Sequence, residues 1–147
     1  MTNPHFPIID RKIRFALVGC GRISKNHISA LKHHAEFVDL VEVCDTNSQA
    51  LQAAVRETKA KPFNDLATLL QHSTADIVVL STPSGLHAEQ TEQIAKSGRH
   101  TLTEKPMATR WQDGQRMVRV CDDAKKLLFV MKQNRCNGTL QLLKRAV

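Results

Sequence analysis

Residues 12–24 read K-I-R-F-A-L-V-G-C-G-R-I-S, and this stretch decides the fold. An apolar run at 16–18 leads directly into Gly19, Cys20 and Gly21, and a segment of helical periodicity follows. Continuously apolar runs are typical of strands in a parallel sheet, because helices cover such a sheet on both faces. A strand, a glycine turn and a helix in this order predict the start of a βαβ unit.

Short apolar runs alternate with longer polar segments along the rest of the chain. This alternation predicts an α/β fold with a doubly wound parallel sheet. The predicted strands are 12–19, 39–44, 61–63, 76–81, 100–104 and 127–132. Helices are predicted at 22–34, 47–58, 85–97 and 109–125, and a short one carries Leu66, Leu69 and Leu70. Thr46 is a possible cap of the second helix, and Gly98 is expected to end the helix at 85–97. The last helix has an apolar face formed by Met117, Val118, Cys121 and Ala124.

Three segments are expected along the chain. Residues 1–11 form an N-terminal tail, 12–137 the sheet domain, and 138–147 the beginning of a further helix. Leu140, Leu143 and Val147 recur at helical spacing, and no capping residue follows them. We expect this helix to be truncated and to lead into another domain, and the alternative is a small natural protein with a frayed last helix.

The composition narrows the class of protein. With 147 residues, 24% charged and 41% hydrophobic, the sequence fits one globular domain. It contains neither an apolar run of about 18 residues nor the pattern of a signal peptide, so a cytoplasmic protein is expected. The four cysteines form no C-x-x-C pair and are expected to be free thiols. No metal site is predicted.

Positive charge is concentrated at the C-terminal end. The net charge is +7, and residues 124–147 contain six basic residues and no acidic one. Such an end suits an anionic small substrate, an acidic partner or nucleic acid. Aromatic residues make up only 4% of the chain and Tyr is absent, which disfavours the stacking of single-stranded bases.

The glycine turn predicts a dinucleotide site. Residues 19–24 read G-x-G-x-x-S, with Ser24 where the fingerprint prefers Gly or Ala. Asp45 ends the second strand, 21 residues after Ser24, where a carboxylate accepts hydrogen bonds from the adenosine ribose. It would repel a 2′-phosphate, and no Arg stands at 46 or 47, so NAD is predicted over NADP. The alternative is that Asp45 merely caps the next helix.

Three further loops leave strand ends at the edge where such sheets bind ligands. Ser81, Thr82 and Pro83, with His87 one turn later, are expected beside the cofactor, although His87 could equally face solvent. Glu104, Lys105 and Pro106 offer a lysine suited to proton transfer, whose turn a cis proline would aim into the cleft; the alternative is a surface lysine. Gln133, Asn134 and Arg135 could bind an amide, sugar hydroxyls or an anion, or form a solvated loop.

Together these loops resemble a known family. G-C-G-R-I-S with His27 nearby, T-P-S-x-x-H and T-E-K-P-M-A resemble the N-terminal domain of the glucose–fructose oxidoreductase / inositol dehydrogenase (Gfo/Idh/MocA) family. The E-K-P motif is specific, whereas the glycine turn is not. The run T-E-K-P-M-A-T-R-W-Q-D-G, with K-Q-N-R and T-L-Q-L-L-K-R-A-V, is similar to the branch of NAD-dependent 3-dehydrogenases of UDP-N-acetylglucosaminuronic acid, which serve lipopolysaccharide biosynthesis.

The resemblance implies a reaction and a role for each residue. Hydride passes from the 3-hydroxyl of the sugar to NAD, and Lys105 assists removal of the hydroxyl proton as the catalytic residue. The implied cofactor-binding residues are Gly19, Gly21, Arg22, Ile23, Asp45, Ser81, Thr82, Pro83, His87, Glu104, Lys105 and Gln133. The implied substrate-binding residues are Lys105, Asn134 and Arg135.

The resemblance also implies what this sequence lacks. Members of the family have a second, α+β domain that covers the substrate, carries the catalytic histidine and mediates homo-oligomers. None of the seven histidines here stands in the D-x-x-x-H context expected for that residue. We therefore expect this chain alone to bind NAD without turnover. The rival interpretations are a dehydrogenase of the same family for another sugar or cyclitol, and a non-catalytic NAD-binding or interaction domain.

Overall fold

Six parallel strands form one sheet in the computed structural model, which describes residues 10–146. The strand order is β3-β2-β1-β4-β5-β6, so the chain winds outward from β1 in one direction and then from β4 in the other. The doubly wound parallel sheet is thereby confirmed. The strands are β1 (Ile13–Val18), β2 (Val38–Cys44), β3 (Lys61–Phe63), β4 (Ile77–Leu80), β5 (His100–Thr103) and β6 (Leu128–Val130).

Helices fill the predicted gaps between the strands. They are α1 (Ser24–His33), α2 (Ser48–Thr58), α3 (Leu66–His72), α4 (His87–Lys96), α5 (Trp111–Asp123) and α6 (Gly138–Ala146). No helix among residues 10–146 is long and apolar enough to cross a membrane.

The central strands are apolar on both faces because each face packs under helices. Ala16 of β1 and Val78 of β4 are fully buried in a cluster with Leu69 of α3 and Ile94 of α4. Leu17 and Val79, one residue further along, belong to a second cluster with residues of α1 and α2. The period-2 alternation of strand side chains therefore feeds two cores. This explains the continuous apolar run before the glycine turn.

Several boundaries and one cap differ from the prediction. Asn47, not Thr46, caps α2: its side-chain oxygen accepts from Ala50 N at 3.0 Å. Residues 84–86 form a 3-10 turn before α4, and Arg110 is still extended before α5. Val118 is 46% exposed, although it was predicted to share the buried face of α5. Gly98 has a φ of +82° after α4, as its predicted place at the helix end requires.

The predicted segment boundaries are only partly covered by the structure. Residues 1–9 of the predicted tail and Val147 lie outside the described residues. The helix α6 begins where the last segment was predicted to begin, and Leu140, Leu142 and Leu143 on it are exposed. The assignment of α6 to a separate structural unit stays a prediction.

Candidate functional site

The turn after β1 is built around two glycines with different tasks. Gly19 has a φ of +90°, and a Cβ there would lie 2.8 Å from the backbone of Ser81. Gly21 faces open space, with nothing within 4 Å of a Cβ. Ser24 is buried, and its hydroxyl donates to the carbonyl oxygen of Gly21. The serine that replaces the third glycine of the fingerprint therefore fits the turn and hydrogen-bonds to it.

Asp45 is held against the same turn by two backbone amides. Its Oδ2 accepts from Cys20 N at 2.6 Å, and its Oδ1 accepts from Asn47 N at 2.7 Å. Because Asn47 is the cap of α2, the alternative role of Asp45 as that cap is wrong. The structure fixes a carboxylate beside the glycine turn, at the carboxyl end of β2.

The two cysteines near the turn carry neutral thiols. Burial, the larger cause, and the charge of Asp45 raise the pKa of Cys20 to about 11. Burial is also the main reason that the pKa of Cys44 is raised to about 12. Because the thiolate is the reactive form, neither residue is a nucleophile at neutral pH. Within the described residues, no three His, Cys, Asp or Glu side chains group as a metal site would require.

The loop after β4 is tied to the glycine turn. Ser81 Oγ hydrogen-bonds to the carbonyl oxygens of Val18 at 3.1 Å and Gly19 at 2.5 Å. Thr82 Oγ1 donates to Gln90 Oε1 of α4 at 2.6 Å. Ser81, Thr82 and Pro83 follow the end of β4, at the point where the strand order reverses between β1 and β4. Ligands bind outside such reversal points in open α/β sheets.

His87 lies inside the protein. Its ring is 1% exposed, so the solvent-facing alternative is wrong. Nε2 lies 3.0 Å from the carbonyl oxygen of Thr82, and Nδ1 lies 3.0 Å from that of Pro106. The ring thus contacts two of the loops at the ligand edge. The role predicted for His87 in cofactor binding can operate only through these loops in this conformation.

The segment after β5 contains an exposed lysine next to a buried carboxylate that is hydrogen-bonded to a histidine. Glu104 is 8% exposed, and its Oε1 lies 2.8 Å from Nε2 of His27, which is also 8% exposed. Its other oxygen accepts from Lys105 N at 3.2 Å. Lys105 is exposed, and the Lys105–Pro106 peptide is cis. Glu104, predicted as a cofactor ligand, is here engaged by protein groups.

A basic pocket of about 620 Å³ follows β6. It is lined by Lys105, Lys132, Gln133, Asn134, Arg135, Leu140, Gln141 and Lys144. Four of these residues are cationic, and within residues 10–146 no acidic side chain is among them. The structure therefore joins the predicted lysine to the predicted Gln133–Arg135 set in a pocket suited to an anion.

The residues present fit a dinucleotide. The open space before Gly21 and the N-terminus of α1 suit a pyrophosphate, because Gly allows close approach and the helix end favours negative charge. The carboxylate of Asp45 stands where ribose hydroxyls are bound in such sheets. Arg22 is exposed and Ile23 half-buried at the same turn. The binding roles of all these residues stay predictions.

Sequence reasoning missed two contributors. His27 was noted only as a neighbour of the glycine turn, and nothing in the sequence pairs it with Glu104, 77 residues away. Lys144 lines the basic pocket from α6, and only the excess of basic residues near the chain end hinted at it.

The chain is similar to known proteins in both sequence and structure. The family model described as "Oxidoreductase family, NAD-binding Rossmann fold" (GFO_IDH_MocA) matches residues 13–132. Among curated proteins, D-apiose dehydrogenase of Paraburkholderia graminis is 29% identical over 138 residues, which are 93% of this chain and 36% of that protein.

Two solved structures are much more similar. The WlbA dehydrogenase from Bordetella pertussis, in complex with NADH and UDP-GlcNAcA, is 61% identical with a TM-score of 0.93, over 95% of this chain and 40% of that one. The WlbA dehydrogenase from Chromobacterium violaceum, with the same two ligands, is 58% identical with a TM-score of 0.94, over 95% and 41%. The chain thus spans about two fifths of the length of these relatives.

Proposed function

Because the chain belongs to the Gfo/Idh/MocA oxidoreductase family with an NAD-binding Rossmann fold, we propose that it is the cofactor-binding part of an NAD-dependent nucleotide-sugar dehydrogenase. One observation carries this proposal. The carboxyl ends of the strands of one parallel sheet bring to the same edge the glycine turn, Asp45, Lys105 and the basic pocket. A dinucleotide site and an anion site then adjoin the same exposed amine.

The cofactor is held by the turn after β1 and by the loop after β4. Gly21 and the start of α1 receive the pyrophosphate, and Asp45 receives the adenosine ribose. The loop of Ser81, Thr82 and Pro83, together with Gln133, borders the nicotinamide half. Bound NAD⁺ supplies the hydride acceptor.

The substrate is a UDP-N-acetylhexosaminuronic acid that is oxidised at its 3-hydroxyl. Two phosphates and a carboxylate need cationic partners, and the pocket offers Lys132, Arg135 and Lys144. Lys105, the lysine of the E-K-P motif, lines this pocket and assists removal of the proton from the 3-hydroxyl, for which its amine must be in the neutral form. The complexes of both WlbA relatives with NADH and UDP-GlcNAcA support this choice of ligands.

A second candidate function is oxidation of an uncharged sugar or cyclitol, as the name of D-apiose dehydrogenase suggests. The basic pocket favours the charged substrate. A non-catalytic NAD-binding domain is the third candidate. For an enzyme of the full length of these relatives, we propose that it forms a homo-oligomer. We also propose that it acts in the cytoplasm and serves lipopolysaccharide biosynthesis.

The substrate proposal is tested by ligand binding to the NADH-loaded chain. We expect UDP-N-acetylglucosaminuronic acid to shift the NMR signals of residues 132–135, and UDP-N-acetylglucosamine, which lacks the carboxylate, to bind more weakly. Equal binding of both ligands would show that the carboxylate is not recognised and would count against a uronic acid as the substrate. The chain mixed with NAD⁺ and the acidic sugar nucleotide should form no NADH, because it corresponds to only 40% of the length of the Bordetella pertussis WlbA dehydrogenase.

A further inference from the structure

We propose that His27 is a positioning residue for Lys105, acting through Glu104 from the helix that opens the dinucleotide site. This inference rests on the proposed function, in which Lys105 is the catalytic residue. His27 Nε2 lies 2.8 Å from Glu104 Oε1, and Glu104 Oε2 accepts from Lys105 N at 3.2 Å. A hydrogen-bonded path therefore runs from α1 to the backbone of the lysine.

Burial gives this path its strength. His27 and Glu104 are each 8% exposed, so little water can replace a lost partner. A buried carboxylate without its partner is destabilised, and it either takes up a proton or turns toward solvent. Rotation toward solvent removes the acceptor that holds Lys105 N, and protonation weakens that acceptor because a neutral carboxyl group accepts less strongly than a carboxylate. Loss of the His27 side chain on α1 should therefore weaken the hydrogen bond of Lys105 N, at the end of β5.

The path also links the two halves of the dinucleotide site. His27 lies one turn after Ser24 on α1, whose N-terminus faces the predicted pyrophosphate position. Glu104 and Lys105 follow β5, on the side of the predicted nicotinamide. We infer that His27 sets the nicotinamide end of the site relative to the phosphate end. It should matter for a ligand that spans both ends and little for a ligand that occupies only one.

The test uses four forms of the chain: wild type, His27→Leu, His27→Gln and His72→Leu. Gln can donate from its amide nitrogen where His27 donates from Nε2, so His27→Gln should restore the bond without the ring. His72 is an exposed histidine at the end of α3 and serves as the matched control. Circular dichroism and thermal unfolding confirm that each variant is folded.

The first readout needs no ligand. Hydrogen exchange of the Lys105 amide should accelerate about tenfold in His27→Leu, the effect of losing a hydrogen bond to a charged group. It should return toward the wild-type rate in His27→Gln. The amides of β4 report global opening and should change much less. Unchanged exchange at Lys105 in folded His27→Leu, or equal acceleration at Lys105 and throughout β4, would overturn the proposal.

The second readout compares NADH with ADP-ribose, which lacks nicotinamide. His27→Leu should weaken NADH binding about tenfold and ADP-ribose binding by less than about twofold, and His27→Gln should recover most of the loss. An equal loss for both ligands would indicate a merely structural role and overturn the proposal. If wild type binds neither nucleotide, the proposed function fails, and the exchange readout still decides the role of His27.

Discussion

The two ends of the ligand edge are built in opposite ways. At the β1–β2 end, backbone groups fix the polar atoms: Asp45 accepts from two amides, and Ser81 hydrogen-bonds to the carbonyl oxygens of β1 and the glycine turn. At the β5–β6 end, Lys105 and residues 132–135 are exposed, and residues 132–135 follow a strand of only three residues.

The difference indicates that the β1–β2 end binds the cofactor, whereas the β5–β6 end carries the proposed reaction. A preformed set of amides and one carboxylate can hold the adenosine half of a dinucleotide without rearrangement. The exposed cationic side chains at the other end retain rotamer freedom and must be ordered when substrate binds. In our proposal, His27 positions the backbone of Lys105 through its hydrogen bond to Glu104. Substitutions at one end should therefore leave ligand binding at the other end unchanged.

Substitutions of the two glycines should give the largest and most different effects. Gly19→Ala should destabilise the fold by about 2 to 4 kcal/mol, because the new Cβ meets the Ser81 backbone at a positive φ. Gly21→Ala should change stability by less than about 0.5 kcal/mol but weaken NADH binding, since its Cβ would enter the open space that we propose for the pyrophosphate. Urea unfolding and NADH fluorescence titration measure the two effects. Similar losses of stability in both variants would contradict this division of roles.

Asp45→Asn should shift the choice of cofactor. The amide keeps one oxygen acceptor for Cys20 N or Asn47 N but loses the charge that repels a 2′-phosphate. We expect the preference for NADH over NADPH to fall by about tenfold, which corresponds to about 1.4 kcal/mol. Parallel fluorescence titrations with the two nucleotides provide the measurement. An unchanged ratio in the folded variant would remove Asp45 as the determinant.

Arg135→Gln should weaken anion binding at the exposed end only. Loss of one cation from the basic pocket should lower the affinity for UDP-N-acetylglucosaminuronic acid by about fivefold at low salt, and less at high salt. NADH affinity should stay within about twofold. Calorimetric titration at two salt concentrations measures both. A variant that loses NADH and sugar nucleotide equally would show that the two ends are not independent.

Acid sensitivity at the opposite edge of the sheet should be the smallest effect. A hydrogen bond from the Arg11 side chain is the largest cause that lowers the pKa of Asp76. A hydrogen bond from the backbone N–H of Arg14 lowers this pKa further. A lowered pKa in the folded state stabilises the protein above the ordinary carboxyl range, and this stability is lost as pH falls through the folded pKa.

Arg11→Gln should therefore lower stability slightly at neutral pH and make no difference in strong acid. Urea unfolding at the two pH values measures the difference. Lys12→Gln is the control, because its ion pair with Asp39 is exposed and longer, at 3.6 Å. A deficit in Arg11→Gln that persists undiminished in acid would exclude Asp76 as its cause.

Local patterns sufficed for the strands and for the glycine turn. Each apolar run became a strand because its own residues supply both faces of the sheet, and Gly98 ended α4 because its backbone conformation suits glycine. Helix starts were less predictable. Thr and Asn are both residue types that favour helix caps, so the sequence offers Thr46 and Asn47 equally. Only the backbone geometry at Asn47 decides between them.

Contacts between distant residues were beyond reach of the sequence. The sequence allowed His87 to face either solvent or a ligand. In the structure, its two ring nitrogens instead lie beside backbone carbonyl oxygens of two different loops. The His27–Glu104 pair joins residues 77 positions apart. Such pairs depend on how helices pack across the sheet, and periodicity in one element carries no information about that packing.

The central claim is that this chain holds a preformed NAD site whose carboxylate selects the cofactor. Titration of the chain with NADH and with NADPH, followed by nucleotide fluorescence with circular dichroism as the folding control, tests it most directly. We predict saturable binding of NADH and markedly weaker binding of NADPH. A folded chain that binds neither nucleotide, or that binds NADPH as well as NADH, would contradict the account.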